Sequence, residues 1–302
     1  MLVEVKENYS VKNLTSFKVG GNVSKLYFPK TQQEFIYLLK TLHSPMVIGN
    51  WSNVIVSSNG IDGNMISTTK LNNIDFKGNR VTVDAGVKVP LLSQNALEKS
   101  LSGFEFLIGI PGTIGGNIYM NASAHAQAIS DTLVSVCVFD MDKKEVVVLD
   151  KKVLDFAYRS SLLQKKPYIL LSAEFELKKA EKNQVQTLMD RNLDFRRSHQ
   201  PSLALPNAGS IFKNPENDSA GRLLDKAGVK SFSVGGAKIW ENHANFIINS
   251  DNATSEDILE LMYKMYNAVN EKYTIKLKPE VKFLGKMSER EEIICSILYN
   301  QK

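Results

Sequence analysis

The feature that most constrains this chain is a cluster of glycines near its middle. Residues 109–116 read Gly-Ile-Pro-Gly-Thr-Ile-Gly-Gly, although only 18 of the 302 residues are glycine. Glycine has no Cβ, reaches positive φ without strain and lets backbone N–H groups approach a bound group closely. Such a cluster is typical of a tight surface turn, or of a loop that holds a phosphate or a flat ring. Glycine content alone does not separate these two interpretations.

The composition is that of an ordinary globular protein of two domains, with 43% hydrophobic and 23% charged residues. No apolar run approaches the roughly 20 residues of a membrane helix, and the N-terminus lacks a signal-peptide profile, so we expect a cytoplasmic protein without a membrane partner. The net charge of +5 is dispersed, which favours anionic small molecules over nucleic acid. The two cysteines and four histidines have no metal-binding spacing, so we expect no metal site.

Apolar periodicity and cap residues predict a mixture of helices and strands. Strands are predicted at 25–28, 45–49, 54–56, 80–85, 132–139, 145–149, 168–177, 210–212, 245–249 and 278–284. Helices are predicted at 31–42, with a Thr31/Glu34 capping box, and at about 90–101, 181–199, 220–227 and 255–273. Because many strands are adjacent in sequence, the pattern favours the α+β class over a doubly wound parallel sheet. We place a domain boundary at the polar helix, giving regions 1–182 and 183–302.

A second candidate loop, Gly49-Asn50-Trp51-Ser52-Asn53, lies between two short apolar strands. Its side chains and turn N–H groups suit a phosphate, and the alternative is an ordinary hairpin turn. Neither this loop nor 109–116 fits a Rossmann fingerprint or a Walker motif, because we predict no helix of the required spacing after either one.

Three polar residues are candidates for chemistry. Arg159 could clamp a carboxylate or stabilise developing negative charge, or be an ordinary surface ion-pair partner. Ser210 lies among small residues ahead of Lys213 and Asn214, and the alternative is a turn in which its hydroxyl satisfies backbone groups. Glu280 has basic and apolar neighbours, and could instead be a surface carboxylate on an edge strand. Ser210 lies in no Gly-x-Ser-x-Gly frame, so it need not be a nucleophile and could instead donate a proton.

Taken in order, the motifs resemble the UDP-N-acetylenolpyruvoylglucosamine reductase family, flavoenzymes that complete UDP-N-acetylmuramate in bacterial cell-wall synthesis. The resemblance covers about residues 10–285 and looks like the compact type without an extra tyrosine-bearing insertion. The matching segments are 13–21 (Asn-Leu-Thr-Ser-Phe-Lys-Val-Gly-Gly), 49–53, 109–116, Asn121-Ala122, Phe156-x-Tyr158-Arg159-x-Ser161, Gln200-Pro201, 207–215, Ala220-Gly221, Gly235-Gly236-Ala237, 243–246 (His-Ala-Asn-Phe) and Pro279-Glu280-Val281.

This resemblance implies an FAD-binding fold of the vanillyl-alcohol-oxidase/PCMH type in 1–182, with parts at about 1–70 and 71–182, and a C-terminal α+β substrate-binding domain in 183–302. It implies non-covalent FAD, NADPH as hydride donor, UDP-N-acetylglucosamine enolpyruvate as substrate and no obligate protein partner. Carried over by motif, the catalytic residues are Arg159, Ser210 and Glu280, and the substrate contacts are Tyr158, Gln200, Lys213 and Asn214. The implied FAD contacts are Gly49, Asn50, Trp51, Ser52, Asn53, Gly109, Ile110, Pro111, Gly112, Thr113, Gly115 and Gly116.

The sequence departs from the family pattern at three places. Trp51 stands where the family usually has glycine, Ser123-Ala124-His125-Ala126 replaces Gly-Ala-Tyr-Gly, and Lys18 stands where arginine is common. Two alternatives therefore stay open: another FAD-dependent oxidoreductase on the same fold, and a non-catalytic nucleotide-binding protein that has lost FAD.

Overall fold

Helices and mostly antiparallel strands make up the computed structural model, which describes residues 3–202 and 204–300. The strands are β1 (Glu4–Ser10), β2 (Asn22–Phe28), β3 (Met46–Ile48), β4 (Val54–Val56), β5 (Ile61–Ser67), β6 (Ile74–Lys77), β7 (Arg80–Asp84), β8 (Leu101–Ser102), β9 (Ser123–Ala124), β10 (Gln127–Ala128), β11 (Leu133–Asp140), β12 (Glu145–Asp150), β13 (Tyr168–Glu176), β14 (Lys178–Lys179), β15 (Ser233–Val234), β16 (Ala237–Ile239), β17 (Ile247–Asn249) and β18 (Lys282–Leu284). The helices are α1 (Gln32–Thr41), α2 (Val89–Glu98), α3 (Ile114–Met120), α4 (Lys182–His199), α5 (Ala220–Lys226), α6 (Ser255–Tyr273) and α7 (Glu289–Tyr299).

The chain forms two compact units, each assembled from separate stretches of sequence. Unit 1 contains the chain before Glu7, Leu26–Asn50 and Asn64–Arg196. Unit 2 contains Glu7–Lys25, Trp51–Gly63 and the chain from Arg197 onwards. The continuous regions 1–182 and 183–302 stay a prediction about domain organisation.

Unit 1 is organised around a five-stranded antiparallel sheet in the order β12-β11-β13-β7-β6. Its buried face combines side chains such as Val81, Val136 and Phe175 with the apolar faces of α2 and α3. The predicted strands 80–85, 132–139, 145–149 and 168–177 are confirmed, with ends that differ by one residue at most. A further sheet has the order β1-β2-β5-β3, in which β3 and β5 run parallel.

Unit 2 has its own core, formed largely by one side of α6. Ile258, Leu261, Met262 and Met265 are fully buried there, as the apolar spacing of the sequence predicts. The helix begins at a complete capping box, in which Thr254 and Asp257 each accept from the other's backbone N–H. The antiparallel sheet β15-β16-β17 contacts this helix, and β18 pairs in parallel with β4.

Several local expectations are wrong or incomplete. The side chain of Glu34 accepts from the N–H of Lys30, so that only the Thr31 half of the predicted capping box forms. The second helix ends at Glu98, and residues 210–212 form isolated bridges rather than a strand. Helices α3 and α7 were not predicted. No helix within the two described ranges is both long and apolar enough to span a membrane.

Candidate active site

The glycine-rich loop, residues 109–116, leads directly into α3 in unit 1. Gly112 has φ +117°, a left-handed conformation that favours glycine, and Thr113 is the N-cap of the helix. The backbone N–H groups of Ile114 and Gly115 donate to Val87 O and Ala85 O, at 2.9 and 2.8 Å. The sequence analysis did not predict α3, and hydrogen bonds to the segment after β7 hold this helix in place despite two glycines in its first turn.

Three buried oxygen atoms on α3 and its caps have no hydrogen-bond partner within the described chain. They are Thr113 Oγ1, Asn117 Oδ1 and Asn121 Oδ1. Their spacing of four residues places them along one side of the helix. An unsatisfied buried acceptor costs about 1–3 kcal/mol, so this row requires a ligand or water that donates hydrogen bonds. The amide nitrogens of Asn117 and Asn121 donate to Thr113 O and Ala157 O, which fixes the direction of both side chains.

The start of the second loop lies against the same helix cap. A Cβ on Gly49 would collide with Thr113 Oγ1, so only glycine fits there without displacing the threonine. Gly49 and Asn50 belong to unit 1, whereas Trp51, Ser52 and Asn53 belong to unit 2. Because Gly49 has no Cβ, no side chain covers the Thr113 hydroxyl at this position. Gly49, Thr113, Asn117 and Asn121 therefore fit a cofactor that is rich in hydroxyl and ring N–H groups.

Arg196, which the sequence analysis missed, supports the first residue of the glycine-rich loop. Its Nε donates to Gly109 O at 2.7 Å, and its Cδ would lie 3.0 Å from a Cβ on Gly109. Burial lowers the pKa of the Arg196 guanidinium. An arginine near the C-terminal end of a polar helix carried no motif signal that could have singled it out.

Trp51 adopts φ +55° and is only 3% exposed. The backbone therefore takes the left-handed conformation for which glycine is suited, while the indole is buried. The Trp51 carbonyl accepts from the N–H of Ser16 at 3.3 Å, which ties the turn to another segment of unit 2. The chain accommodates a Cβ at this position.

Arg159 occupies a tight turn in unit 1. The N–H of Ala157 donates to Ser160 O at 3.2 Å, the N–H of Ser160 returns a bond to Ala157 O at 3.1 Å, and Arg159 has φ +54°. The guanidinium Nη1 donates to Ser123 Oγ at 2.8 Å. Its carbon lies 5.0 Å from the centroid of the Tyr158 ring, a cation–π distance.

Ser210 and Glu280 belong to two segments of unit 2 that pair through their backbones at residues 211–212 and 279–280. Ser210 forms a bridge with Phe246, and the N–H of Glu280 donates to Ile211 O at 2.8 Å. Asn53 donates from Nδ2 to Glu280 O at 3.2 Å and so fixes the other side of this strand-like segment. The structure thus brings together two of the three predicted catalytic residues, and Arg159 belongs to unit 1.

Asn245 explains how residues 210–212 stay extended without a regular strand. Its buried side chain accepts from Phe212 N at 2.9 Å and donates to Phe212 O at 2.8 Å, as a paired strand would. His243 Nδ1 accepts from the N–H of Asn245, and burial lowers the pKa of this imidazole. The His-Ala-Asn-Phe motif therefore supports the segment that carries Ser210.

Of the predicted substrate contacts, Tyr158 belongs to unit 1, and Gln200, Lys213 and Asn214 belong to unit 2. Lys213 N donates to Lys278 O at 2.9 Å, Asn214 Oδ1 accepts from Ala220 N at 3.1 Å, and the Tyr158 side chain is about half exposed. Gln200 is partly buried just after α4. Among residues 3–202 and 204–300, no three His, Cys, Asp or Glu side chains are grouped as a metal site would require.

Comparison with known proteins identifies the family. A family model described as "FAD binding domain" matches residues 23–149, and one for the C-terminal domain of UDP-N-acetylenolpyruvoylglucosamine reductase matches residues 200–284. A UDP-N-acetylenolpyruvoylglucosamine reductase from Caldicellulosiruptor bescii is 38% identical over 288 residues, which cover 94% of this chain and 91% of the relative. The chain belongs to the UDP-N-acetylenolpyruvoylglucosamine reductase family.

Further members support this assignment across nearly the whole chain. A UDP-N-acetylenolpyruvoylglucosamine reductase from Clostridium beijerinckii is 40% identical over 273 residues, covering 89% of each chain. The crystal structure of the UDP-N-acetylenolpyruvylglucosamine reductase from Thermus caldophilus superposes with a TM-score of 0.81 at 33% identity, covering 94% of this chain and 99% of that one. The predicted α+β class, with an FAD-binding domain and a C-terminal reductase-family domain, is confirmed.

This reductase-family chain is an FAD-dependent oxidoreductase. The row of orphaned oxygens on α3 and the glycine that faces Thr113 lie within the FAD-binding match, so an independent structural observation agrees with the cofactor. The sequence held a signal for Asn117 and Asn121, since Thr-x-x-x-Asn-x-x-x-Asn has helical spacing. The signal was missed because the glycines argued against a helix there.

Proposed function

We propose that this protein reduces UDP-N-acetylglucosamine enolpyruvate to UDP-N-acetylmuramate, with NADPH as hydride donor, in the synthesis of peptidoglycan precursors. Relatives that bear the reductase name cover about nine-tenths of the chain, and the FAD-binding match supports the redox chemistry. The observation that supports the mechanism is the backbone pairing of residues 211–212, directly after Ser210, with residues 279–280, because it gives one small region both a hydroxyl and a carboxyl group.

The chemistry that FAD would supply when bound is the transfer of a hydride from NADPH to the substrate. The residues that would hold FAD are those of the two loops, 49–53 and 109–116, together with Asn117 and Asn121. Hydroxyl and ring N–H groups of the cofactor would satisfy the orphaned oxygens on α3. The protein's own contribution to this chemistry is to position the reactants and to neutralise charge.

Arg159 stabilises the charge that develops on the substrate. Hydride addition at C3 of the enolpyruvyl double bond sends an electron pair to C2 and the conjugated carboxylate. A guanidinium forms two parallel hydrogen bonds to a carboxylate, and its stabilisation grows as negative charge accumulates on those oxygens. Arg159 is placed for this role by a constrained turn rather than a flexible loop.

Ser210 and Glu280 complete the reaction. The Ser210 hydroxyl donates its proton to C2, and the Glu280 carboxyl, when protonated, donates a hydrogen bond to the enolate oxygens. A hydroxyl is a weak acid, so the transfer depends on the strong basicity of the enolate and on nearby Lys213. Tyr158, Gln200, Lys213 and Asn214 bind the substrate, with Lys213 supplying charge for its anionic nucleotide portion.

We further propose that the protein works in the cytoplasm, without nucleic acid and without an obligate protein partner. Both cysteines, Cys137 and Cys295, are free, which suits a reducing compartment. The alternative of another flavin oxidoreductase is disfavoured by the reductase-specific match at 200–284, which includes Ser210 and Glu280. The alternative of lost FAD is disfavoured by the unsatisfied oxygens that a cofactor would complete.

The Ser210→Ala variant tests the proton donor. We expect the rate of flavin reduction by NADPH to stay within about twofold of the unsubstituted protein, and turnover to fall by about 10²–10⁴-fold. The two half-reactions are measured separately by anaerobic stopped-flow absorbance. Ser296→Ala, on an exposed face of α7, controls for loss of a serine hydroxyl in the same unit. Loss of both half-reactions in Ser210→Ala would contradict the assigned role.

A further inference from the structure

Ser123 begins a small hairpin that is anchored to α3. Strands β9 and β10 pair with Ser123 opposite Ala128, and the turn between them uses positive φ at His125 and Ala126. The N–H of Ala122, just before the hairpin, donates to Asn117 O at 2.9 Å. The backbone of Ser123 is therefore fixed relative to the helix.

The turn that carries Arg159 is anchored to the same helix. Asn121 donates from Nδ2 to Ala157 O at 3.0 Å, and Ser161 donates from Oγ to Tyr119 O at 2.9 Å. Gln164 adds a bond from Nε2 to Arg159 O at 3.2 Å. These bonds fix the backbone of Arg159 but leave the side-chain torsions of the arginine to be set by other contacts.

The Ser123 hydroxyl supplies such a contact. It accepts from Arg159 Nη1 at 2.8 Å, and both residues are partly buried in unit 1. Tyr158 lies beside the same guanidinium, 5.0 Å from its carbon to the ring centroid. The hydroxyl and the ring together restrict where the guanidinium plane lies.

We propose that Ser123 is a positioning residue, which orients the Arg159 guanidinium for the substrate carboxylate. This inference rests on the proposed function, since it assumes that Arg159 acts on the substrate. A neutral hydroxyl suits this role because it accepts a hydrogen bond from the guanidinium without neutralising its positive charge, whereas a carboxylate in its place would neutralise that charge. A long arginine side chain loses rotamer entropy when it is fixed, so holding it in place before the substrate arrives speeds the step that needs it.

Ser123 is also one of the positions where this chain departs from the family pattern, which tends to have glycine there. His125 at the tip of the same hairpin contacts Phe195 of α4, with ring centroids 5.1 Å apart, and this contact stabilises the hairpin from its other end.

The test compares Ser123→Ala with Ser123→Thr, which restores a hydroxyl. We expect Ser123→Ala to slow reoxidation of the reduced flavin by UDP-N-acetylglucosamine enolpyruvate about tenfold, with flavin reduction by NADPH unchanged. Ser123→Thr is expected to recover most of that rate. Ser135→Ala, a partly buried serine on β11 in the same unit, is the matched control, and the thermal midpoint of each holoenzyme shows that it is folded.

A double-substitution cycle separates this inference from the proposed function. In the Arg159→Ala background we expect Ser123→Ala to change the reoxidation rate by less than about twofold, because contacting residues are energetically coupled. A tenfold effect in both backgrounds, or an altered rate of reduction by NADPH, would overturn the positioning role. If Ser123→Ala matches the unsubstituted protein while Arg159→Ala is inactive, the inference fails and the proposed function stands. If Arg159→Ala retains full reoxidation, the proposed role of Arg159 fails.

Discussion

Trp51 and Arg159 are two of the bulky residues that adopt a left-handed backbone conformation in this protein. Both have φ near +55°, and an L-residue with a Cβ loses roughly 1–2 kcal/mol in that conformation. Each must be held by surrounding contacts. For Arg159 these are the backbone bonds of its turn, whereas for Trp51 the buried indole itself provides the compensation.

Replacing Trp51 by glycine tests this balance at a single residue. Glycine relieves the left-handed strain, worth about 1 kcal/mol, but removes a side chain that is 3% exposed, and truncating a buried tryptophan costs about 3–5 kcal/mol. We therefore expect Trp51→Gly to lower the free energy of unfolding by about 2–4 kcal/mol, measured by urea denaturation followed by far-UV circular dichroism. Trp51→Phe keeps the backbone strain and most of the apolar bulk, so its loss should be smaller. A more stable glycine variant would show that the strain outweighs the burial.

At the scale of elements, the sequence correctly predicted the helices and strands whose apolar periodicity matches the side that the fold buries. The helix α6 and the strands β7, β11, β12 and β13 have clear apolar patterns, and they lie where the pattern placed them. Helix α3 was missed because Gly115 and Gly116 are poor helix formers, and it exists through hydrogen bonds to the segment after β7. The prediction of a strand at 210–212 was wrong, because the Asn245 side chain takes the place of a regular strand partner, and no local pattern reveals this.

The candidate site likewise contains residues that sequence motifs predicted and contacts that only the fold reveals. Arg159, Ser210 and Glu280 were found through motifs, and the pairing of the last two follows from contacts between segments nearly 70 residues apart in sequence. Ser123 was noticed only as a departure from the family pattern, because its bond to Arg159 depends on how a hairpin and a turn are attached to one helix. Residue types could be predicted from the sequence, whereas their contacts required the fold.

The contact between the end of β3 and the cap of α3 can be tested by Gly49→Ala. The added Cβ would collide with Thr113 Oγ1, so we expect the threonine to shift and the purified protein to retain less FAD per chain. Flavin released on denaturation, divided by protein concentration, measures this. Gly78→Ala, at the tip of the β6–β7 hairpin with φ +65° and open space around it, controls for ordinary loss of stability. Equal FAD content in both variants would contradict a role for this contact in the cofactor site.

At the scale of the whole molecule, the chain builds two compact units, each with its own buried core. The FAD-binding match begins at residue 23 and ends at 149, while the reductase-specific match lies at 200–284. The proposed catalytic residues come from both units, with Arg159 from unit 1 and Ser210 and Glu280 from unit 2.

The central claim is that a hydride from NADPH reaches the enolpyruvyl ether through FAD. The purified holoenzyme is reduced anaerobically with one equivalent of NADPH, then mixed with UDP-N-acetylglucosamine enolpyruvate while the visible flavin absorbance is followed. We predict rapid reoxidation of the flavin and formation of UDP-N-acetylmuramate, detected by mass spectrometry, with no reoxidation by UDP-N-acetylglucosamine. A flavin that stays reduced in the presence of the enolpyruvyl substrate would contradict the claim.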